Sequence, residues 1–516
     1  MKFMRQAFQR MKTRLPHKVI ALLLGTAFIL SACGAGSTAV VQPTPSSAPE
    51  IIATSTPEPE QAPTGYVEYF TQSGDTLPVI AAHFGVRPDQ IISDNVLDSE
   101  KILAPGIRLF ICDLLGETSQ PDILFPDSEF VFSRSAIGFD IQVFADEKGG
   151  YLATYKELMT RGTTLAPDIL NELAVGHSIN PRLLLTLIEY ESGWVTRQPE
   201  TKDEKLYPMG WIKSDRAGIY FQTGLLIRQL LQGYYGWRAG ILNEITFLDG
   251  STLRLSPFLN AGTVGVMYAL AQYHDRAAWE AALYGIGNIV EVQNKLFGDA
   301  WVRASRVEPL FETGVEQPVL NLPIPVNQKW ALTNGPHTAW GLYGPLAALD
   351  FAPAGNIGCD VSKRFTLAAA AGRVVRVGNG VVVLDLDEDG YEQTGWVLVY
   401  MHVSSTDRVK EGDYLKLDDP IGHPSCEGGS ASGSHIHIAR KYNGEWVLAD
   451  GGLPFVLSGY QAHKGEKDCN GDRFCEGTLD NGERTIVADA YGNSLTITIR
   501  PESLPKYFFT PTPKND

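Results

Sequence analysis

At 516 residues, with 44% hydrophobic and 20% charged side chains, the chain exceeds what one hydrophobic core usually organises and reads as a multidomain globular protein of two to four domains. Its formal charge of −16, with no Lys/Arg-rich stripe beyond the N-terminal segment, repels phosphate backbones and argues against nucleic acid as a partner.

Residues 1–33 carry a basic stretch (Lys2, Arg5, Arg10, Lys12, Arg14, Lys18) and then an apolar run from Val19 to Leu30. Such a run is short for a bilayer span and predicts a cleaved export signal. Its end, Leu30-Ser31-Ala32-Cys33, resembles a bacterial lipobox. The resemblance implies diacylation of Cys33 and attachment to the cell-envelope membrane, facing the cell wall. Residues 34–65, with PTPSSAPE and STPEPEQAP, hold almost no large apolar side chain and predict an extended tether. An exported chain sits where disulfides persist, so Cys359 with Cys426 and Cys469 with Cys475 are the expected pairs, and Cys112 a buried thiol.

In residues 66–112, Val67, Tyr69 and Thr71 alternate. Leu77, Ile80, Ala81 and Phe84 then recur with helical spacing, a second helix is expected near Gln90 to Val96, and a strand from Ile107 to Ile111. GDTL, IAAHFGV and the later Pro105-Gly106 turn make this βααβ segment resemble a LysM domain. That resemblance implies N-acetylglucosamine-containing glycan bound near Gly74, Asp75, Thr76 and Leu77.

Residues 120–315 read as a mostly α domain. Asn180-Pro181 starts a helix well, and Leu184, Leu187, Ile188 and Glu191 share one of its faces while Glu189 lies nearly opposite. A carboxylate in an apolar stripe is what a general acid for glycosidic cleavage needs. INPRLLLTLIEYESGWV resembles the catalytic helix of soluble lytic transglycosylases, which implies a lysozyme-like fold with Glu191 as the catalytic carboxylate. Only this one of the family's three signatures is convincing.

Residues 318–505 change to β-branched runs broken by Gly, Asn and Asp, the texture of an antiparallel all-β domain. His435 and His437 alternate onto one face of a strand, and the same rule puts His402 on the face of Trp396, Leu398 and Tyr400. Asp350, amid small apolar residues, needs a partner or a cation. GPHTAWG, LDFAP, YMHV, EGDYL, IGH and GSHIHIA together resemble the lysostaphin-type metallopeptidases, in particular their staphylolytic and β-lytic branch. The resemblance implies Zn²⁺ held by His337, Asp350 and His437, with His402 and His435 as catalytic histidines and the peptide stems or cross-bridges of peptidoglycan as substrate. Three protein ligands leave one position of zinc open, as catalysis requires. The alternative is a non-catalytic wall-binding scaffold or hydrolase activator. The acidic run Asp385 to Gly390 is expected to be a hairpin turn rather than a calcium loop.

Overall fold

A computed structural model of the chain describes residues 63–341, 343–467, 469, 474–490 and 496–497. The expected signal, Cys33 and the tether up to residue 62 lie outside the described residues. No described helix is long and apolar enough to cross a membrane.

In the 66–112 segment, Tyr66–Phe70 and Ile91–Ile92 flank Arg108–Cys112 in an antiparallel sheet. The helix Leu77–Phe84 covers it, begun by Pro78 in its first turn and ended by Gly85 in the left-handed conformation. Tyr69, Ile80, Phe84, Leu109 and Ile111 form its core. The helix expected near Gln90 to Val96 is instead a 3₁₀ turn, Pro88–Gln90, followed by the short strand. The β-branched pair Ile91 and Ile92 finds partners in Ile111 and Phe110, and this pairing outweighs a helix too short to nucleate.

The region from 123 to 310 is mostly helical. Its longest helix, Ile219–Arg238, lies against Ala261–Ala271 at Gly233, where an added Cβ would meet Gly265 Cα at 2.8 Å. Glycine on both sides permits this backbone approach. The helix Pro181–Ser192 starts at Asn180, whose side chain accepts the Arg182 N–H.

Beyond residue 318 an antiparallel sheet runs in the order Tyr414–Leu415, Gly372–Gly378, Val381–Asp385, Trp396–Met401, Ile436–Tyr442, Leu346–Pro353, Trp330–Thr338, Thr496–Ile497. Val382, Leu384, Leu398, Tyr400, Ile436 and Ile438 pack into a core of this region alone, whereas Val381, Val383, Val397, Val399, Met401 and Ala439 pack toward the helices. With both faces buried, each strand becomes a nearly continuous apolar run, the reason VVVLD and WVLVYM show so little polar alternation. The acidic run is a hairpin turn: the Asp385 carboxylate accepts the N–H groups of Asp387, Glu388 and Gly390.

One residue ties the three parts together. Arg238 donates to Glu445 at 2.9 and 3.0 Å, to Asp127 at 2.8 Å and to the Ser73 carbonyl, with the Tyr234 hydroxyl beside it. Arg238, Asp127 and Glu445 are all buried.

Candidate metal centre

Register between neighbouring strands assembles the site. His437 stands opposite Asp350 on one side and Met401 on the other, while His337 lies across from Ala348. His337 Nε2 and His437 Nδ1 each lie 3.2 Å from Asp350 Oδ1 and 3.0 Å from each other. His435 Nε2 is 3.5 Å from Asp350 Oδ2, and the His402 ring is centred 4.4 Å from that of His435. All five residues expected from sequence therefore meet in one place.

Alternation alone would not have put His402 there. Leu398 and Tyr400 point into the opposite core, and His402 would follow them. Its φ of +63° turns the ring back toward His435 and His437. A left-handed bulky residue costs on the order of 1–3 kcal/mol and persists only where its surroundings over-determine it.

Backbone carbonyls set the tautomers. His337 Nδ1 donates to Gly335 O (2.9 Å), His437 Nε2 to Ala339 O (3.1 Å), His402 Nδ1 to Glu427 O (3.0 Å) and His435 Nδ1 to Gly433 O (2.7 Å). A carbonyl only accepts, so each ring spends its N–H outward and turns a lone pair inward. Two lone pairs from His337 and His437 thus face a buried carboxylate oxygen, Asp350 Oδ1, that has no hydrogen-bond partner of its own. Three acceptors converging with no donor between them are the signature of a cation site. Two imidazoles and one carboxylate suit Zn²⁺ with an open position.

Without a cation the cluster takes up a proton in its place: burial works to lower the His337 pKa, but Asp350 beside it raises it overall. Burial opposes ionisation of Asp350, but His337 and His435 hold its carboxyl well below the usual range. Burial, then His435 and His437, push His402 down to about 3, leaving its ring neutral. Asn334, buried in the strand Trp330–Thr338, donates to Asp350 Oδ2 at 3.3 Å and accepts the Cys475 N–H at 2.7 Å. It was not anticipated, although an Asn in WALTNGPHT was a visible anomaly. Asn334→Ala should weaken metal affinity by about 10–100-fold, as loss of such supporting partners does; titration against a competing chelator would measure it.

The loop after His337, which supplies the Ala339 carbonyl, is held by the helical region. Trp340 lies on Gly176, where an added Cβ would come within 2.7 Å of its ring, and Arg228 sits 3.4 Å above the Tyr343 ring centroid.

The other expected sites are placed differently. Gly74 abuts Arg238 and Phe311, and an added Cβ there would lie 3.3 Å from Phe311. Asp75 is buried, its carboxylate accepting the Tyr69 hydroxyl and the Gln72 N–H, both at 2.7 Å. Thr76 bridges Ile102 and packs on Gly452, and Leu77 is buried. The expected glycan-contacting turn thus faces a seam between parts of the chain, and a glycan reaches it only if that seam opens. Glu191 is shielded as expected, but it pairs with His274 at 2.9 Å, which raises the His274 pKa. Cys359 is joined to Cys426 and Cys469 to Cys475, while Cys112 is buried outside any disulfide.

Residues 69–111 match the LysM domain family and residues 123–310 the family described as the N-terminal domain of LasA. Protease LasA of Pseudomonas aeruginosa is 24% identical over 377 residues, covering 67% of this chain and 80% of LasA. The chain thus contains a stretch that matches the LysM domain family and a longer one that resembles the metallopeptidase LasA. The β-lytic metalloendopeptidase of Achromobacter lyticus is 27% identical over 166 residues, 30% of this chain and 41% of that protein. The deep-sea metalloprotease pseudoalterin overlays 35% of this chain and 99% of its own at 22% identity, with a TM-score of 0.29, too partial an overlay to carry an assignment. The stretch expected to be lysozyme-like is thus matched by LasA, whose likeness to this chain runs through both the helical and the β regions. A lysozyme-like fold is not confirmed.

Proposed function

We propose that the chain is an exported zinc endopeptidase that cleaves peptide stems or cross-bridges of peptidoglycan, with His337, Asp350 and His437 as ligands and His402 and His435 as catalytic histidines. The observation that carries this reading is the set of four imidazoles, each committed to a backbone carbonyl, of which His337, His435 and His437 bring their second nitrogen within 3.2–3.5 Å of the buried Asp350 carboxylate and His402 lies beside His435. When bound, Zn²⁺ supplies Lewis acidity toward water and the scissile carbonyl. His402 and His435, side by side, are placed to take and share a proton from attacking water as charge develops on the carbonyl oxygen. Asn334 keeps the Asp350 carboxylate oriented.

Within the same reading, Cys33 anchors the protein by lipid and the LysM domain adds affinity for wall glycan, raising the local concentration of an insoluble substrate. Glycan cleavage at Glu191 would be a second activity, with only the helix motif in its favour.

The test is digestion of purified peptidoglycan by the full chain, with released fragments identified by mass. New peptide amines should appear, vanish on treatment with a zinc chelator and return on adding Zn²⁺. Binding without release in any metal state would replace this reading by the scaffold. Anhydro-sugars that persist after chelation would assign Glu191 a role.

A further inference from the structure

The three metal ligands and the two other histidines are held in different ways. His337, Asp350 and His437 stand on three hydrogen-bonded strands. His402 and His435 stand just outside strands, at junctions with the irregular segments 402–413 and 423–435.

The Cys359–Cys426 disulfide joins the supports of these two histidines. On one side, Cys426 lies between Ser425 and Glu427. The Ser425 N–H and hydroxyl both donate to the His402 carbonyl, at 2.7 and 2.9 Å, and the Glu427 carbonyl accepts the His402 ring N–H at 3.0 Å. On the other side, Cys359 lies between Gly358 and Asp360. The Gly358 carbonyl accepts the Ser434 N–H at 2.7 Å, the Asp360 carbonyl accepts the Ser434 hydroxyl, and Ser434 immediately precedes His435. The two sides meet where Ser425 bridges His435. Each half-cystine is therefore flanked by the residues that fix one histidine or its neighbour, and the left-handed backbone of His402 depends on such support.

We propose that Cys359 and Cys426 are positioning residues for His402 and His435, and that opening their disulfide lowers turnover while the metal stays bound. The inference rests on the reading of those two histidines as catalytic. Reduction by a phosphine moves two electrons into the sulfur–sulfur bond; with one water it yields two thiols and the phosphine oxide. The activity would then be confined to surroundings that keep this bond oxidised.

The test compares the full chain before and after treatment with a water-soluble phosphine, and with the Cys359→Ser/Cys426→Ser double variant. Reduction and the double substitution should each lower kcat by about 100-fold, the scale expected for catalytic groups displaced by about 1 Å. KM and metal stoichiometry should stay unchanged, reoxidation should restore the parent, and the phosphine should do nothing further to the double variant. Unchanged kcat would overturn the proposal, as would loss of metal together with activity, which would make the bond a support of the fold. If the oxidised, metal-loaded parent cleaves nothing, the peptidase reading fails, and ring signals in NMR decide the positioning role. Those of His402 and His435 must move on reduction while those of His337 and His437 remain; stationary His402 and His435 signals would overturn it.

Discussion

His437→Ala should yield a folded protein that no longer retains stoichiometric zinc and has lost about 1000-fold or more of its turnover, since a catalytic metal supplies several kcal/mol and each 1.36 kcal/mol is tenfold. The fold should survive because the strand Ile436–Tyr442 is paired on both sides, to Trp396–Met401 and to Leu346–Pro353. Removing one inward lone pair also relieves crowding around Asp350 Oδ1, so the metal-free variant should unfold at a temperature close to that of the metal-free parent. Metal analysis, kinetics and calorimetry on the same preparation would check this. Full zinc occupancy with undiminished turnover would show that His437 is no ligand.

Arg238→Ala should be the most destabilising single change, by about 3–5 kcal/mol, because it leaves buried carboxylates without their cation. Asp127 and Glu445 would lose a shared guanidinium, and the Ser73 carbonyl one of the donors that tie residues 66–112 to the rest. Arg238→Lys should rescue little, since an ammonium cannot span both carboxylates. The effect has a defined pH dependence. Burial raises the pKa of both Asp127 and Glu445 above the ordinary carboxylate range, with Arg238 working in the opposite direction. A raised folded-state pKa means that protonation favours the folded form; this contribution is complete below the ordinary carboxylate range and disappears as pH rises through the raised values. The deficit of Arg238→Ala relative to the parent should therefore narrow toward acid and widen toward alkaline pH. Urea unfolding at several pH values measures it, and a deficit that does not change with pH would remove the buried carboxylates as its cause.

Part of the candidate metal site was legible because its signal is local, while the place of His337 in it came only from the family resemblance. H-x-H at the start of a strand needs only the alternation of an extended backbone, and Asp350 among alanines is costly without a cation. Other features depend on contacts distant in sequence. Nothing near GDTL signals that Arg238 and Phe311 will close over Gly74. Glu191 shows its apolar stripe, but its partner His274 lies 83 residues away. The side on which His402 lies was misread because period-two reasoning assumes an extended backbone, and that residue departs from it. The helix expected near Gln90 failed for a related reason, since a pair of isoleucines cannot announce in advance that a strand edge awaits them.

The shared register of Trp330–Thr338, Leu346–Pro353 and Ile436–Tyr442 bears on which changes in gene length the site tolerates. A one-residue insertion or deletion between Asp350 and the end of its strand, or between His437 and its partners, would exchange inner and outer faces and scatter the ligands. Connecting loops that hold no residue bonded to the five site side chains carry no such constraint. Length variation should therefore accumulate between strands and be purged within them, which lets two ligands drift apart in the chain while staying a strand spacing apart in space.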